Sequence, residues 1–159
     1  MLTILLSICA TIPSILHLNE TQVKNICKYE SIIITEAKRN KIKPELLVSV
    51  IYVESAFYPR AVSSANACGL TQIIPKWTGG PETRYKKYTC GELKDPRTSI
   101  ATGARILAYA IRIYGKGSVN QGLCYYNAGT ACLKNTNLHK KLRYVKKVRK
   151  IYDKINSGN

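Results

Sequence analysis

A single glutamate ends an apolar run about a third of the way along the chain, and its placement strongly constrains the fold. Pro44 can occupy the first position of a helix, where its missing N–H would be unpaired anyway. Four residues then fall on one helical face at i, i+3, i+4 and i+7, namely Leu47, Val50, Ile51 and Glu54. A carboxyl group held against apolar side chains resists ionisation, so the pKa of Glu54 should be raised. The pattern therefore predicts a general acid.

On helical geometry alone, a second interpretation of Glu54 stays open. Most glutamates face solvent or pair with Lys or Arg, and a small change in helical phase would expose this one. The residues that follow Glu54 decide between the two interpretations, because they carry an ordered series of short motifs: Glu54-Ser55, Pro59, Ala61-Val62-Ser63, Ala67-Cys68-Gly69-Leu70-Thr71-Gln72 and Ile73-Ile74-Pro75.

These motifs, over residues 42–130, resemble the soluble lytic transglycosylases, which have a lysozyme-like fold. Later matches in the same order are Asp95-Pro96, Gly103-Ala104 and Tyr126-Asn127-Ala128-Gly129. Several separated motifs in the right order are more specific than any one of them. Three positions depart from the family pattern and bear on the shape of the sugar-binding cleft: Asn66 replaces Gly, Thr71 replaces Met and Thr130 replaces Pro.

The resemblance implies a mainly α-helical, lysozyme-like single domain whose cleft holds one catalytic glutamate, Glu54. It implies substrate-binding roles for Ser63, Gln72, Tyr126 and Asn127. It also implies a hydrogen bond between the Tyr126 hydroxyl and the Glu54 carboxyl. The implied reaction cleaves peptidoglycan glycan strands between N-acetylmuramic acid and N-acetylglucosamine and leaves 1,6-anhydro-muramic ends. Two alternatives stay open: a lysozyme-type muramidase, and a non-catalytic wall-binding component of a secretion or virion assembly.

Charge and composition narrow the partners. The 159 residues include 25 Lys and Arg against 9 Asp and Glu, a formal charge of +16, so the protein should be attracted to polyanions. Bacterial cell wall, nucleic acid and anionic membrane all qualify, but nucleic acid is disfavoured because no basic and aromatic binding motif appears. Six cysteines without a Cys-x-x-Cys pair and two histidines predict no metal site, and we expect no cofactor.

Residues 1–19 form a signal-like or apolar N-terminal segment ahead of a domain over residues 20–159. Leu2 to Leu16 carries no charge, which is typical of an export signal, but the stretch is short for a membrane span and lacks an n-region Lys or Arg. The alternative is an uncleaved arm that anchors or packs. Export to a periplasmic, secreted or virion-associated location would permit disulfides. We expect Cys68–Cys90 and Cys124–Cys132, with Cys9 and Cys27 free or lost with the leader.

Periodicity predicts further helices over about residues 20–39, 95–115, 118–129 and 142–155, and a short helix over Gly69 to Ile74. The last long helix is crowded with Lys and Arg and is interpreted either as a solvated face or as a surface for polyanions. The segment from Trp77 to Leu93, which lies between the predicted helices, has no sustained hydrophobic period. Its aromatic residues Trp77, Tyr85 and Tyr88 could stack on sugars, but packing or covering the loop is favoured.

Overall fold

The computed structural model describes residues 7–135 and 137–158. Within these residues the chain forms nine α-helices and no regular strand: α1 Ile8–Leu16, α2 Glu20–Asn40, α3 Pro44–Ser55, α4 Cys90–Leu93, α5 Pro96–Tyr109, α6 Val119–Ala128, α7 Ala131–Lys134, α8 Leu138–Lys141 and α9 Arg143–Ser157. A π-helical turn, Ala110–Tyr114, prolongs α5 to the predicted end at Gly115. The mainly α-helical prediction is confirmed.

Helix α3 is the centre of the core, because almost every side chain from Leu46 to Ile51 is apolar and all are buried. One side of α3 packs with α1, α2 and α5, through Leu47, Val48 and Ile51. Its other side packs with α5, α6 and α9, through Leu46 and Val50. A helix enclosed in this way is held rigidly, so the residue at its carboxyl end has a fixed position.

The end of α3 is fixed by α2. Ala56 and Phe57 adopt left-handed backbone angles with φ of 51° and 66°, which stops the helix at Ser55. The Asn25 side chain donates a hydrogen bond to the Phe57 carbonyl at 3.0 Å, and the Phe57 ring is fully buried. Burial of an aromatic ring compensates for the backbone strain of these two residues.

The predicted short helix over Gly69 to Ile74 is wrong. The segment is a tight turn, in which isolated bridges pair Cys68 with Val62 and with Ile73. Gly69 and Gln72 both have positive φ, 79° and 50°, which a right-handed helix excludes. The turn crosses closely over α4, since a side chain at Gly69 would overlap the Leu93 carbonyl oxygen.

Three disulfides join the helices to one another and to the loop. Cys68–Cys90 and Cys124–Cys132 are the two predicted pairs, and both are confirmed. The expectation that Cys9 and Cys27 would be free or lost is contradicted, because they form a third disulfide between α1 and α2. It was missed because the segment containing Cys9 has the composition of a leader. Three disulfides fit an exported protein.

Helix α1, within the segment predicted as signal-like or packing, contributes to the main core. Ile8, Ile12 and Leu16 are buried against α2, α3 and α9. The Glu30 carboxylate accepts hydrogen bonds from the Ser7 hydroxyl at 2.8 Å and from the Cys9 N–H at 3.2 Å. Residues 1–6 of the segment lie outside the described residues. Among the helices that the structure describes, none has the length and apolar character needed to cross a membrane.

We expect the unreduced, denatured protein to contain no reactive thiol, since all six cysteines are paired. Replacing Cys9 and Cys27 together with serine should lower the free energy of unfolding by about 2–4 kcal/mol, mainly because the unfolded chain gains freedom. Thiol titration and urea denaturation measure these two quantities. Two reactive thiols in the wild-type protein would contradict the α1–α2 disulfide.

Candidate active site

The carboxyl end of α3 opens into a cleft of about 440 Å³. Its wall is formed by the last residues of α3, by the loop that follows, by the tight turn and by α9. The described residues that line it are Tyr52, Val53, Glu54, Ser55, Ala56, Ala61, Val62, Ser63, Gln72 and Lys147. The structure therefore brings three of the predicted site residues, Glu54, Ser63 and Gln72, into one cavity.

Burial raises the pKa of Glu54 from 4.5 to about 7, the direction predicted from its position on α3. Loss of hydration disfavours the carboxylate and is the largest cause. A hydrogen-bonding interaction with Tyr144 and the positive charge of Lys147 act in the opposite direction and lower the pKa of Glu54. A carboxyl group with a pKa near 7 is half protonated at neutral pH, as a general acid requires.

Tyr144, on the first turn of α9, is the site residue that sequence analysis missed. Its hydroxyl is buried and faces Glu54. Burial, followed by the charge of Glu54, raises the pKa of the Tyr144 phenol well above its ordinary value. The hydroxyl makes no hydrogen bond of regular geometry in the described structure. Contacts of this kind are often loose in a protein without substrate. Tyr144 is thus a protonated donor held beside the acid.

Ser63 and Gln72 are held by the backbone of the loop and the turn. The Ser63 hydroxyl accepts a hydrogen bond from the Ala67 N–H at 3.1 Å. The Gln72 amide donates to the carbonyls of Gly69 at 2.9 Å and Ala61 at 3.1 Å. Because the Gln72 N–H groups are used in this way, its carbonyl oxygen remains the atom available to a ligand.

Ser55, the residue after Glu54, links the end of α3 to the tight turn through its hydroxyl group. Its buried hydroxyl donates to the Leu70 carbonyl at 2.8 Å, with the Ile51 carbonyl at 3.1 Å as an alternative acceptor. This contact fastens the end of α3 to the turn that carries Gln72. Asn66, which replaces the family's glycine, has a φ of 63°, a conformation that asparagine tolerates better than most residues.

Tyr126 lies near Glu54, but the implied hydrogen bond to the carboxyl is absent. The Tyr126 hydroxyl donates instead to the Thr71 carbonyl at 2.8 Å. Desolvation, followed by the charge of Glu54, raises the pKa of Tyr126 well above its ordinary value. Asn127 is exposed and is not among the residues that line the cleft, so the structure does not bring it together with Glu54.

Thr71, the departure from the family's methionine, lies behind the cleft wall. Its side chain is fully buried, and its hydroxyl donates to the Ser99 carbonyl at 2.8 Å. Gly103 of α5 faces it so closely that a side chain at Gly103 would overlap Thr71. The substitution therefore anchors the turn to α5 and does not line the cleft, contrary to the expectation that it shapes the sugar-binding surface.

Glu54 is the only carboxylate among the described residues that line this cleft. Two other acidic residues, Asp95 and Glu92, act as helix caps. Asp95 caps α5 by accepting a hydrogen bond from the Thr98 N–H at 2.8 Å, which lowers the pKa of Asp95. Glu92 caps α4 through Thr89 and pairs with Lys86 at 3.4 Å. A second cavity, of about 520 Å³, adjoins Asp95 and lies between Arg60 and Lys94.

The aromatic residues of the segment from Trp77 to Leu93 divide into two groups. Trp77 and Tyr85 are 68% and 75% exposed, so they do not pack in the core, and of the favoured interpretation only covering of the loop stays open. Tyr88 packs against the cluster of Cys68, Ile73 and Leu93, as expected. Trp77 remains available for stacking, with the Lys76 ammonium 4.7 Å from the centre of its ring.

The raised pKa of Glu54 predicts a pH-dependent stability difference between the wild-type protein and the Glu54→Gln variant. The folded protein holds this proton more tightly than the unfolded chain, so raising pH between about 4.5 and 7 favours unfolding of the wild type. Glutamine has no such proton. The free energy of unfolding of the variant should therefore increase by about 3 kcal/mol relative to that of the wild type between pH 4 and pH 8, measured by urea denaturation at both values. A pH-independent difference would contradict the raised pKa.

The chain is similar to known proteins over the region that contains these site residues. Residues 31–148 match the family model described as Transglycosylase SLT domain. The chain is 33% identical over 135 residues to membrane-bound lytic murein transglycosylase E of Buchnera aphidicola, covering 78% of this chain and 61% of that protein. It is 39% identical over 89 residues to membrane-bound lytic murein transglycosylase C of Actinobacillus pleuropneumoniae, covering 53% of this chain and 24% of that protein.

Solved structures share the fold at low sequence identity. The 70 kDa soluble lytic transglycosylase of Escherichia coli superimposes with a TM-score of 0.68 at 22% identity, covering 81% of this chain and 24% of that one. An inactive mutant of lytic transglycosylase Slt from Pseudomonas aeruginosa gives a TM-score of 0.64 at 18% identity, covering 93% and 28%. The fold is that of a lysozyme-like helical domain. The chain belongs to the Transglycosylase SLT domain family.

Proposed function

We propose that this protein is a peptidoglycan lytic transglycosylase that cleaves the β-1,4 linkage between N-acetylmuramic acid and N-acetylglucosamine. The observation that carries the proposal is a lone carboxyl group with a pKa of about 7 in a cleft with no second carboxylate among its described residues. The relatives are named for this activity, and the chain spans 61% and 24% of the length of the two described above.

A lone acid can complete the reaction when the substrate supplies the other groups. Glu54 donates its proton to the glycosidic oxygen, the bond from that oxygen to the anomeric carbon breaks, and N-acetylglucosamine leaves with a free 4-hydroxyl. The substrate's own N-acetyl oxygen stabilises the positive charge at the anomeric carbon. The 6-hydroxyl oxygen then bonds to that carbon, and its proton returns to the Glu54 carboxylate. The product is a 1,6-anhydro-muramic end, and no water is consumed.

The neighbours of Glu54 support both protonation states that this cycle needs. Burial holds the proton before cleavage, while Tyr144 and Lys147 stabilise the carboxylate that forms after it. Ser63 and Gln72 would orient the sugar without titrating, and Tyr126 would hold the turn that carries Gln72, through Thr71. Hydrolysis by a two-carboxylate route lacks support, since that route needs a second Asp or Glu about 5 to 9.5 Å away.

We place this activity outside the cytoplasm, in a periplasmic, secreted or virion-associated setting. Three disulfides and a formal charge of +16 support contact with an anionic wall in an oxidising compartment. The protein would act either alone or within a secretion or virion assembly. Co-purification with other subunits from its own cells would distinguish these two settings.

Purified peptidoglycan tests the proposed function. We expect the wild-type protein to release soluble glycan fragments, detected by liquid chromatography, while protein reduced and heat-denatured beforehand releases none. Wall binding without release would favour the non-catalytic alternative. Tight DNA binding at the same salt concentration, without any release from the wall, would favour a nucleic-acid partner instead.

A further inference from the structure

Lys147 is the only cationic residue among the described residues that line the Glu54 cleft. It lies three residues after Tyr144 on α9, so the two side chains share one helical face. Val145 and Val148 of the same helix are buried and fix its rotation. The Lys147 ammonium group therefore reaches the cleft from a rigid support.

The ammonium group of Lys147 is available to a ligand. The ion pairs of the described residues join Arg39 to Glu36, Lys86 to Glu92, and Arg149 to Asp153, and none of them includes Lys147. Lys147 is exposed to solvent at the mouth of the cleft. Its field nevertheless acts on Glu54, so the two groups are close enough to influence one another.

The substrate of the proposed function carries the complementary charge, and the inference rests on that function. N-acetylmuramic acid differs from N-acetylglucosamine by a lactyl ether, which ends in a carboxylate or bears a peptide that ends in carboxylates. We propose that Lys147 is a specificity-determining residue that binds this acidic lactyl or lactyl-peptide group and so selects muramic acid over an uncharged sugar at the cleavage site. A lysine suits this task, because a flexible point charge tolerates both forms of the group.

Binding of the substrate carboxylate to Lys147 also affects the protonation of Glu54. The groups that face Glu54 are Lys147 and Tyr144 from α9 and Tyr126 from α6. In the free protein Lys147 lowers the pKa of Glu54. When a substrate carboxylate pairs with Lys147, this effect weakens, and Glu54 keeps its proton to higher pH. Recognition of muramic acid is thereby linked to retention of the proton that the reaction uses.

The test compares two soluble glycan oligomers that differ in the charge of their lactyl groups. Both are peptide-free alternating strands, one with free lactyl carboxylates and one with those carboxyl groups capped as methyl amides. Wild-type protein should cleave the charged oligomer with a kcat/KM about fivefold higher, a modest ratio because the ion pair is exposed. The difference should lie in KM and should shrink as salt rises.

The variants separate a specific role from a structural one. Lys147→Met should bring the ratio of the two kcat/KM values close to one, and Lys147→Arg should restore most of it. Lys146→Met, at an exposed neighbour outside the cleft lining, should keep the wild-type ratio. Lys147→Met should also move the alkaline limb of the kcat/KM profile to higher pH, because the field that lowers the pKa of Glu54 is gone.

Failure of this inference differs from failure of the proposed function. A wild-type protein that cleaves neither oligomer nor peptidoglycan would overturn the function itself. A wild-type ratio near one, or a Lys147→Met variant that keeps the wild-type ratio, would overturn the role of Lys147 and leave the function standing. Equal loss on both oligomers in Lys147→Met, with no change in ratio, would assign the residue a structural role and also contradict the inference.

Discussion

Replacing Glu54 with glutamine should lower the turnover of peptidoglycan by about 10²- to 10⁴-fold, the usual contribution of a general acid. Glutamine keeps the shape of the side chain but has no acidic proton to give to the glycosidic oxygen. The cleft has no other described carboxylate that could take over. Fold and wall binding should be unchanged, and above neutral pH the variant should be the more stable protein, because a buried carboxylate is no longer required.

Glu45→Gln is the matched control. Glu45 lies on the first turn of the same helix, outside the cleft lining, so its replacement removes one negative charge without touching the acid. We expect activity within about twofold of wild type, since a charge at a helix terminus contributes only about 0.3–1 kcal/mol to stability. Release of soluble fragments measures both variants. An active Glu54→Gln protein would refute the assignment of the acid.

Gly69→Ala should lower the free energy of unfolding by about 3 kcal/mol and should disturb the cleft as well. The residue has a φ of 79°, where alanine is strained by about 1–2 kcal/mol. A methyl group there would also overlap the Leu93 carbonyl oxygen and approach the Ser99 hydroxyl to 2.7 Å. Relief of that overlap would shift the turn that carries Gln72, so kcat/KM should fall together with stability.

Gly117→Ala measures the destabilisation that comes from the left-handed backbone alone, without the overlap. Gly117 also has a left-handed backbone, with a φ of 90°, but apart from its two neighbours in the chain no residue has an atom within 4 Å of the position that a side chain would occupy. We expect a cost of only about 1 kcal/mol and unchanged activity. Urea denaturation at one pH gives both values. Equal destabilisation by the two substitutions would contradict the close contact of the turn with α4.

The sequence was most informative where the role of a residue depends only on its near neighbours in the chain. Pro44 marks the start of α3, and the apolar face that ends at Glu54 predicted both the buried helix and the raised pKa. Asp95 directly precedes Pro96, and its carboxylate caps α5. These predictions succeed because they depend on residues within one or two helical turns of each other.

Features that depend on distant parts of the chain could not be predicted in this way. Tyr144 lies 90 positions after Glu54, one residue away from the apolar stripe of α9, and no local pattern marks a tyrosine there as part of the site. The Cys9–Cys27 disulfide depends on how α1 packs against α2. The turn from Gly69 to Ile74 was predicted as helix because its shape is fixed by α4 and α5, and six residues are too few for a period to show.

The chemical form of the muramic end tests the central claim most directly, because the claim is that one acid acts without a second carboxylate or an attacking water. Purified peptidoglycan digested by the wild-type protein and analysed by mass spectrometry, without prior reduction, should give fragments with 1,6-anhydro-muramic ends. These ends weigh one water less than reducing ends, about 18 Da, and borohydride does not reduce them. Reducing muramic ends that borohydride converts to the alcohol would show hydrolysis and contradict the account.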